Sequence, residues 1–380
     1  MKYFKTKSKG ASLFTIFLIF AASLFLMGCG ENGEDSTTST TGGDSTTPTT
    51  GEGTVTAKEF NSSGSLGELL TYTIDTTNFT YSYEIVESGY GLTGTTGSGN
   101  IVQNQDGTYS PSDAPDIRLI LLPNTLLVGG ENVTVGDADT FMLFAGVPAL
   151  DTVYAPVEIA GIYNYIVFEC DDPLEDGVCT SGYRSYYGTF EIGKLNIWQA
   201  CSQGNLSDGE NVLCSGGIMT GSWADEGDGV ISIKFGLSEI GKAMLLPSSA
   251  GGKVIVIDYK DHQDAGPGIL VGVKQQDISG EDLSGKYRYN GNDGGYGDLE
   301  VYDDDTYSGS YTGPDGSEQT TRGNLDANSP WEGWLTADNF TEADSADDSI
   351  ILILPGDGVF LQTSPSSTAN DWINVGGKIP

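Results

Sequence analysis

The chain has 380 residues, with 17 Lys and Arg against 53 Asp and Glu, a formal charge of −36 at neutral pH and one histidine. A surface this acidic repels nucleic acid and anionic lipid headgroups at long range, which excludes the ordinary basic polyanion binder. Hydrophobic residues make up 38% and glycines number 54, enough for cores joined by many tight turns.

Lys2, Lys5, Lys7 and Lys9 precede an apolar run from Leu13 to Met27. The run is too short and too unevenly flanked for a comfortable membrane span, so residues 1–28 read as an export signal. It ends in Leu26-Met27-Gly28-Cys29, which resembles the lipobox of bacterial lipoproteins, although Met27 stands where a small residue is usual. That resemblance implies that Cys29 is acylated, becomes the mature N-terminus and ties the protein to a membrane through its lipid. Gly30, in place of an Asp, implies the outer membrane. Several acyl chains hold a domain firmly, since each buried CH₂ contributes about 0.8 kcal/mol. Residues 29–57, rich in Ser, Thr and Gly, lack the apolar side chains that offset ordering entropy and read as a disordered tether.

Beyond the tether, short alternating segments with turn residues between them predict an all-β chain: tandem antiparallel β-barrel or β-sandwich modules, with lipocalin-like meanders as the nearest architecture. One short helix is expected, over residues 236–245. A pattern recurs three times: "GNIVQNQDGTYS" from Gly99, "GTFEIGKLNIWQ" from Gly188 and "GDLEVYDDDTYS" from Gly297, each with an aromatic (Tyr109, Trp198, Tyr307) at the same distance from its Gly. "AGIYNY" and "SGKYRY" precede the second and third copies. "LILLPNTLLVG", "KAMLLPSSAGGKVIVID" and "IILILPGDGVFLQ" follow the three copies, turning near Pro123, Pro247 and Pro355. Modules over 58–150, 151–276 and 277–380 are expected. The first lacks a middle hairpin and is expected not to close without the second.

Four cysteines remain after Cys29, an even number as expected for exported chains, and the expected pairs are Cys170 with Cys179 and Cys201 with Cys214, each closing the loop of its own hairpin. In "GYGDLEVYDDDTYSGS", Asp303, Asp304 and Asp305 read as a hairpin turn, because Asp tolerates the left-handed conformation and bonds its own backbone. Asp303 and Asp305 are the calcium candidates, and in the nearby "NGNDGGYGDLE" stretch, which offers oxygen ligands, Val301 stands where the closing Glu of an EF-hand loop is needed. His262 lies between Asp261 and Asp264, but no Gly-x-Ser-x-Gly elbow supplies a nucleophile and no zinc spacing occurs.

Tyr163, Tyr165, Tyr287 and Tyr289 alternate within strands as cross-strand packing requires, while Tyr183, Tyr186 and Tyr187 crowd one region. Trp331, after Pro330, is expected to be exposed and to form a glycan or protein contact with Tyr296 or Tyr302, whereas Trp334 is expected in a core. The function expected from sequence is non-catalytic binding or structural support in the cell envelope. The alternatives are a tethered polysaccharide hydrolase or an accessory subunit of an envelope assembly, and nucleic acid is not an expected partner.

Overall fold

The computed structural model describes residues 57–380 except 123, 136–137, 151–153, 176–178, 181, 203, 207–213, 215–216, 248–251, 261–265, 280–282, 340–348, 364–371 and 380. The leader, Cys29, the tether and His262 lie outside the described residues.

Three eight-stranded antiparallel meanders follow one another. The first comprises β1 (Ala57–Gly64), β2 (Glu68–Asp75), β3 (Thr80–Ser88), β4 (Thr96–Gln103), β5 (Tyr109–Pro111), β6 (Ile120–Leu122), β7 (Leu126–Val135) and β8 (Ala138–Pro148). After a single helical turn, α1 (Pro156–Ile159), the second comprises β9 (Gly161–Cys170), β10 (Tyr183–Ile192), β11 (Ile197–Ser202), β12 (Ile218–Gly227), β13 (Val230–Phe235), β14 (Ser238–Leu246), β15 (Val254–Tyr259) and β16 (Gly268–Lys274). The third comprises β17 (Gly285–Gly291), β18 (Tyr296–Val301), β19 (Thr306–Thr312), β20 (Glu318–Ala327), β21 (Trp334–Asn339), β22 (Ser349–Leu354), β23 (Val359–Thr363) and β24 (Ile373–Lys378). The second and third close as barrels. Closure leaves no strand edge to pair with another chain.

The first meander carries eight strands as well, so the expectation that it is abridged is corrected. Its β5 and β6 are only three residues long, and they meet through one bridge, in which Tyr109 N donates to Leu119 O (2.9 Å) and Leu119 N to Tyr109 O (2.7 Å). The expected helix over 236–245 is strand β14, because Gly241 interrupts a helical pattern and both flanks of the segment are paired.

The repeated stretches form one kind of turn. Asn104 N donates to Thr108 O, Gly193 N to Ile197 O and Tyr302 N to Thr306 O (2.8, 2.8 and 2.9 Å), with Gly107, Asn196 and Asp305 left-handed at the same place. The second and third copies are strands two and three of their barrels, but the first is strands four and five of its own, so it is displaced. The same closure also joins Gly291 to Gly295 and Gly313 to Ser317. A turn used this often marks a hairpin without marking its place in a barrel.

The hydrophobic segments are positional. They form strands six and seven in every barrel, β6–β7, β14–β15 and β22–β23, and the two faces of such strands serve different cores. In β22, Ile351 and Ile353 point into the third barrel, while Ile350, Leu352 and Leu354 point outward. The outward set meets Leu126 and Val128 of the first barrel and Val254 and Val256 of the second in one core shared by all three. Gly377 of β24 is needed at this junction, since a Cβ there would lie 2.3 Å from Leu122 Cδ1. Residues 53–380 therefore form one unit rather than separable modules.

Each closed barrel is capped at its start by the same device. Ile159 and Leu283 are buried, and the hydroxyls of Tyr163 and Tyr287 donate back to their carbonyls, both at 2.6 Å. Cys170 pairs with Cys179 and Cys201 with Cys214, each bridge at the end of its own hairpin.

Candidate ligand groove on the third barrel

Strands β17 to β20 face away from the shared core, so their alternation is plain: Tyr287, Tyr289, Leu299, Val301, Tyr307 and Leu325 point inward. Their outward neighbours align by register into two cross-strand rows. Lys286, Glu300, Ser308 and Arg322 form one; Arg288, Asp298, Ser310 and Thr320 form the other. The rows line a groove of about 730 Å³, along which Leu299, Gly309 and Ile379 also lie. Strand spacing makes this platform about 14 Å wide and the rows about 7 Å apart.

Three of the chain's 17 cations lie in this groove. Lys286 is 3.7 Å from Glu300, a loose pair that leaves the lysine side chain 64% exposed. Arg288 is more constrained: it pairs with Asp106 of the first barrel, and its Nε lies 3.1 Å from Asp298 Oδ1 without hydrogen-bond alignment. Burial opposes ionisation of Asp106, but hydrogen bonds from Thr108 and the charges of Arg288 and Arg118 hold it below the usual carboxylate range. Arg322 ends its row exposed. The groove thus presents two accessible cations about a strip of Ser and Thr hydroxyls, backed by a positioned guanidinium.

Of the expected contact residues, the structure brings Tyr302 here: its hydroxyl is 2.9 Å from Ser308 Oγ at the rim. Tyr296 is elsewhere, under the guanidinium of Arg118 (4.0 Å) in the seam with the first barrel. Trp331 is not an exposed platform, which corrects the expectation. It stacks on Tyr187 of the second barrel (5.7 Å), lies edge-on to Trp334 and donates from Nε1 to Asn164 Oδ1 (3.3 Å). Trp334 is fully buried, but outward in the same seam rather than inside its barrel.

The aspartate turn is turn chemistry: Asp304 Oδ1 accepts from Thr306 N (3.2 Å) and Thr306 Oγ1 (2.6 Å), as Asp106 Oδ1 does from Thr108 (3.0 and 2.6 Å). Among the described residues no cluster of three metal-ligating acids, cysteines or histidines forms, so Asp303 and Asp305 gather no calcium set. Lys286, Arg288 and Arg322 were missed in the sequence; the K-x-R and D-x-E spacings of 286–288 and 298–300 carry the signal, but only the register aligns them.

The carboxyls displaced furthest from ordinary behaviour lie away from the groove. Between the first two barrels, burial and then the charge of Asp258 push Glu68 up to about 8, and burial, with Glu87 adding, pushes Asp258 to about 8 against a hydrogen bond from Ser63 (3.2 Å) and two lysines. Burial raises Glu131, on β7 of the first barrel, to about 7.

No family model and no curated protein sequence matches the chain. Among solved structures, it is similar to transferrin-binding protein B of Haemophilus parasuis Hp5. A single-substitution mutant of that antigen aligns at 10% identity over 82% of this chain and 66% of that one, with TM-score 0.28, and a double mutant at 10% over 82% and 65%, with TM-score 0.26. This chain spans slightly less than two thirds of that protein's length. The DNA polymerase III subunit beta from Pseudomonas aeruginosa aligns at 9% identity over 86% of this chain and 93% of its own, with TM-score 0.14. Likeness at these scores carries no argument about function, which must come from the chain's own geometry.

Proposed function

We propose that the protein is a lipoprotein of the outer membrane, held by acyl chains on Cys29, and that it binds a ligand without catalysis through the groove on its third barrel. The ligand class is an acidic glycan, hydroxyl-rich and bearing carboxylate or sulfate groups spaced to meet Lys286 and Arg322. The supporting observation is the gathering of three scarce cations with a strip of hydroxyls on one concave wall. Charge elsewhere does not defeat this, because screening at physiological salt reduces interactions beyond about 8 Å.

A hydrolase would need one carboxyl shielded enough to stay protonated. Asp298 and Glu300 are 56% and 40% exposed and each stands beside a cation, which favours recognition over acid catalysis. The test is binding of oligogalacturonates, with neutral oligosaccharides as control. The wild type should bind in a salt-sensitive way, and Lys286→Glu with Arg322→Glu should weaken binding about tenfold or more. Equal binding by the double variant would remove the groove, and release of shortened oligosaccharide would restore the enzyme reading. Cys29→Ser should abolish partition into the detergent phase; retention there would remove the anchor.

A further inference from the structure

The outer walls formed by strands one to four of the third barrel and by strands three to five of the second have opposite chemistry. On the third barrel the wall is the charged and hydroxylated grid described above. On the second, Leu195, Ile197, Ile218, Met219, Phe235 and Leu237 are exposed, six of the eleven large apolar side chains so exposed among the described residues. They do not reflect a general tolerance of exposed apolar surface, because they concentrate on this wall. Pairing of Ile197 with Ser222 and of Ser222 with Lys234 joins three adjoining strands, β11, β12 and β13, of which only Val230, at the start of β13, packs against the shared core.

Two turns carry the wall's extremes. Leu195, in the β10–β11 turn, is 83% exposed, and Leu237, in the β13–β14 turn, is wholly so. Each turn has a left-handed residue, Asn196 and Gly236, and reads Lys-apolar-Asn-apolar or Lys-apolar-Gly-apolar. Lys194 and Lys234 make no ion pair among the described residues. Residues 194–206, 217–224 and 230–238 contain these two lysines and no acid, where the chain's average would place about four. Acids close by in sequence include Glu191, opposite Gln199 on β11, and Asp225, Glu226 and Glu239; of these Asp225 accepts from Tyr154 N (2.6 Å), Glu226 pairs with Lys242 (3.0 Å) and Glu239 is bonded by Lys260 (2.5 Å) and Ser232 (2.6 Å). Asp208 and Glu210, in the β11–β12 connection, lie outside the described residues.

We propose that this wall is a membrane-contact face: Leu195 and Leu237 enter the headgroup–acyl boundary of a bilayer, and Lys194 and Lys234 meet its anionic phosphates. Side chains standing free at turn tips suit a fluid phase, which closes around single protrusions, better than a rigid protein surface that must supply a fitted pocket. Apolar tips beside lysine are the combination that anionic bilayers attract and retain. The face also resolves a conflict of charge. An acidic body is repelled by anionic headgroups least from its acid-poor side. The 27 residues from Gly30 to Thr56 reach at most about 90 Å, so the anchor permits many orientations and the wall selects one.

The inference rests on the anchor proposed above only for bringing the body to the membrane, and one experiment separates the two. The full acylated chain is incorporated into vesicles of phosphatidylcholine with 30% phosphatidylglycerol, or into neutral detergent, and amide exchange is followed. Recovery with vesicles reads the anchor; exchange at 193–197 and 234–238 reads the face. The expected result is at least fivefold slower exchange in both turns in vesicles than in detergent, with the third-barrel segments 306–312 and 318–322 unchanged. Leu195→Asp with Leu237→Asp, at positions already in water, should abolish the slowing without changing the melting temperature, and Lys194→Glu with Lys234→Glu should reduce it. Turns that exchange equally in vesicles and detergent overturn the face. Slowing that appears in detergent and grows with protein concentration also overturns it, in favour of self-association.

Discussion

Trp331 and Trp334 both serve the seam between the second and third barrels, the first from the β20–β21 loop and the second from the outer face of β21. Asn164 completes that seam, accepting from Trp331 Nε1 and donating from Nδ2 to Glu332 O (2.8 Å). Trp334→Ala should lower unfolding free energy by about 3–5 kcal/mol and Trp331→Ala by about half as much, read from denaturant midpoints. An unchanged midpoint for Trp331→Ala would show that the indole is not holding the barrels together. At the aspartate turn, Asp305 has φ of 61°. Asp305→Gly should raise stability by about 0.5–1 kcal/mol, since glycine enters that region without a Cβ clash; a lower melting temperature would contradict this.

Among elements, the β9–β10 and β11–β12 hairpins are each closed by a disulfide, with sequence separations of 9 and 13. Loops of this length gain about 2–3 kcal/mol per bridge on the chain-entropy account. Because the outer faces of β9 and β14 to β16 belong to the shared core, reduction should weaken the whole body in one transition. Two transitions under reducing conditions, with the third barrel melting separately, would show that the barrels are energetically independent. Strands six and seven are what prevent that independence: a third barrel expressed alone would expose Ile350, Leu352, Leu354, Val359 and Leu361 together.

For the whole molecule, the junction of the first two barrels predicts the response to pH. Glu68 on β2 and Asp258 on β15 are buried and pushed up to about 8, while Ser63 of β1, Glu87 of β3, Lys242 of β14 and Lys260 face the same region. A carboxyl raised on folding binds its proton more tightly in the folded state. Its stabilising contribution is therefore complete below the unfolded value near 4 and is lost as pH rises through 8. Burial opposes ionisation of Glu87, but hydrogen bonds from Lys242 and Lys260 outweigh it; its contribution is present above the unfolded value and is lost only as pH falls through the lowered folded one. The melting temperature should consequently fall between pH 5 and pH 9. Glu68→Gln with Asp258→Asn should flatten most of that slope, leaving a residue from Glu131 near pH 7. A slope unchanged by the double substitution would place the titration elsewhere.

The β class is legible in alternation and turn residues alone, and so are the hydrophobic hairpins that recur as strands six and seven. The sequence also carried the cysteine pairs, because each closes a local loop and needs no knowledge of distant strands. Which face of those hairpins is which depends on how the three barrels pack. In "SIILIL" both faces are apolar, so period-two reading is silent about which residues line a barrel and which join three barrels. The displaced first copy shows the same limit, since a local left-handed turn recurs wherever a hairpin needs one. Trp331 was misplaced because a loop indole has no period at all, and its partner Asn164 lies 167 positions away. The groove depends on register, since Lys286, Glu300, Ser308 and Arg322 come from four strands and become one row only when backbone pairing slides them into line.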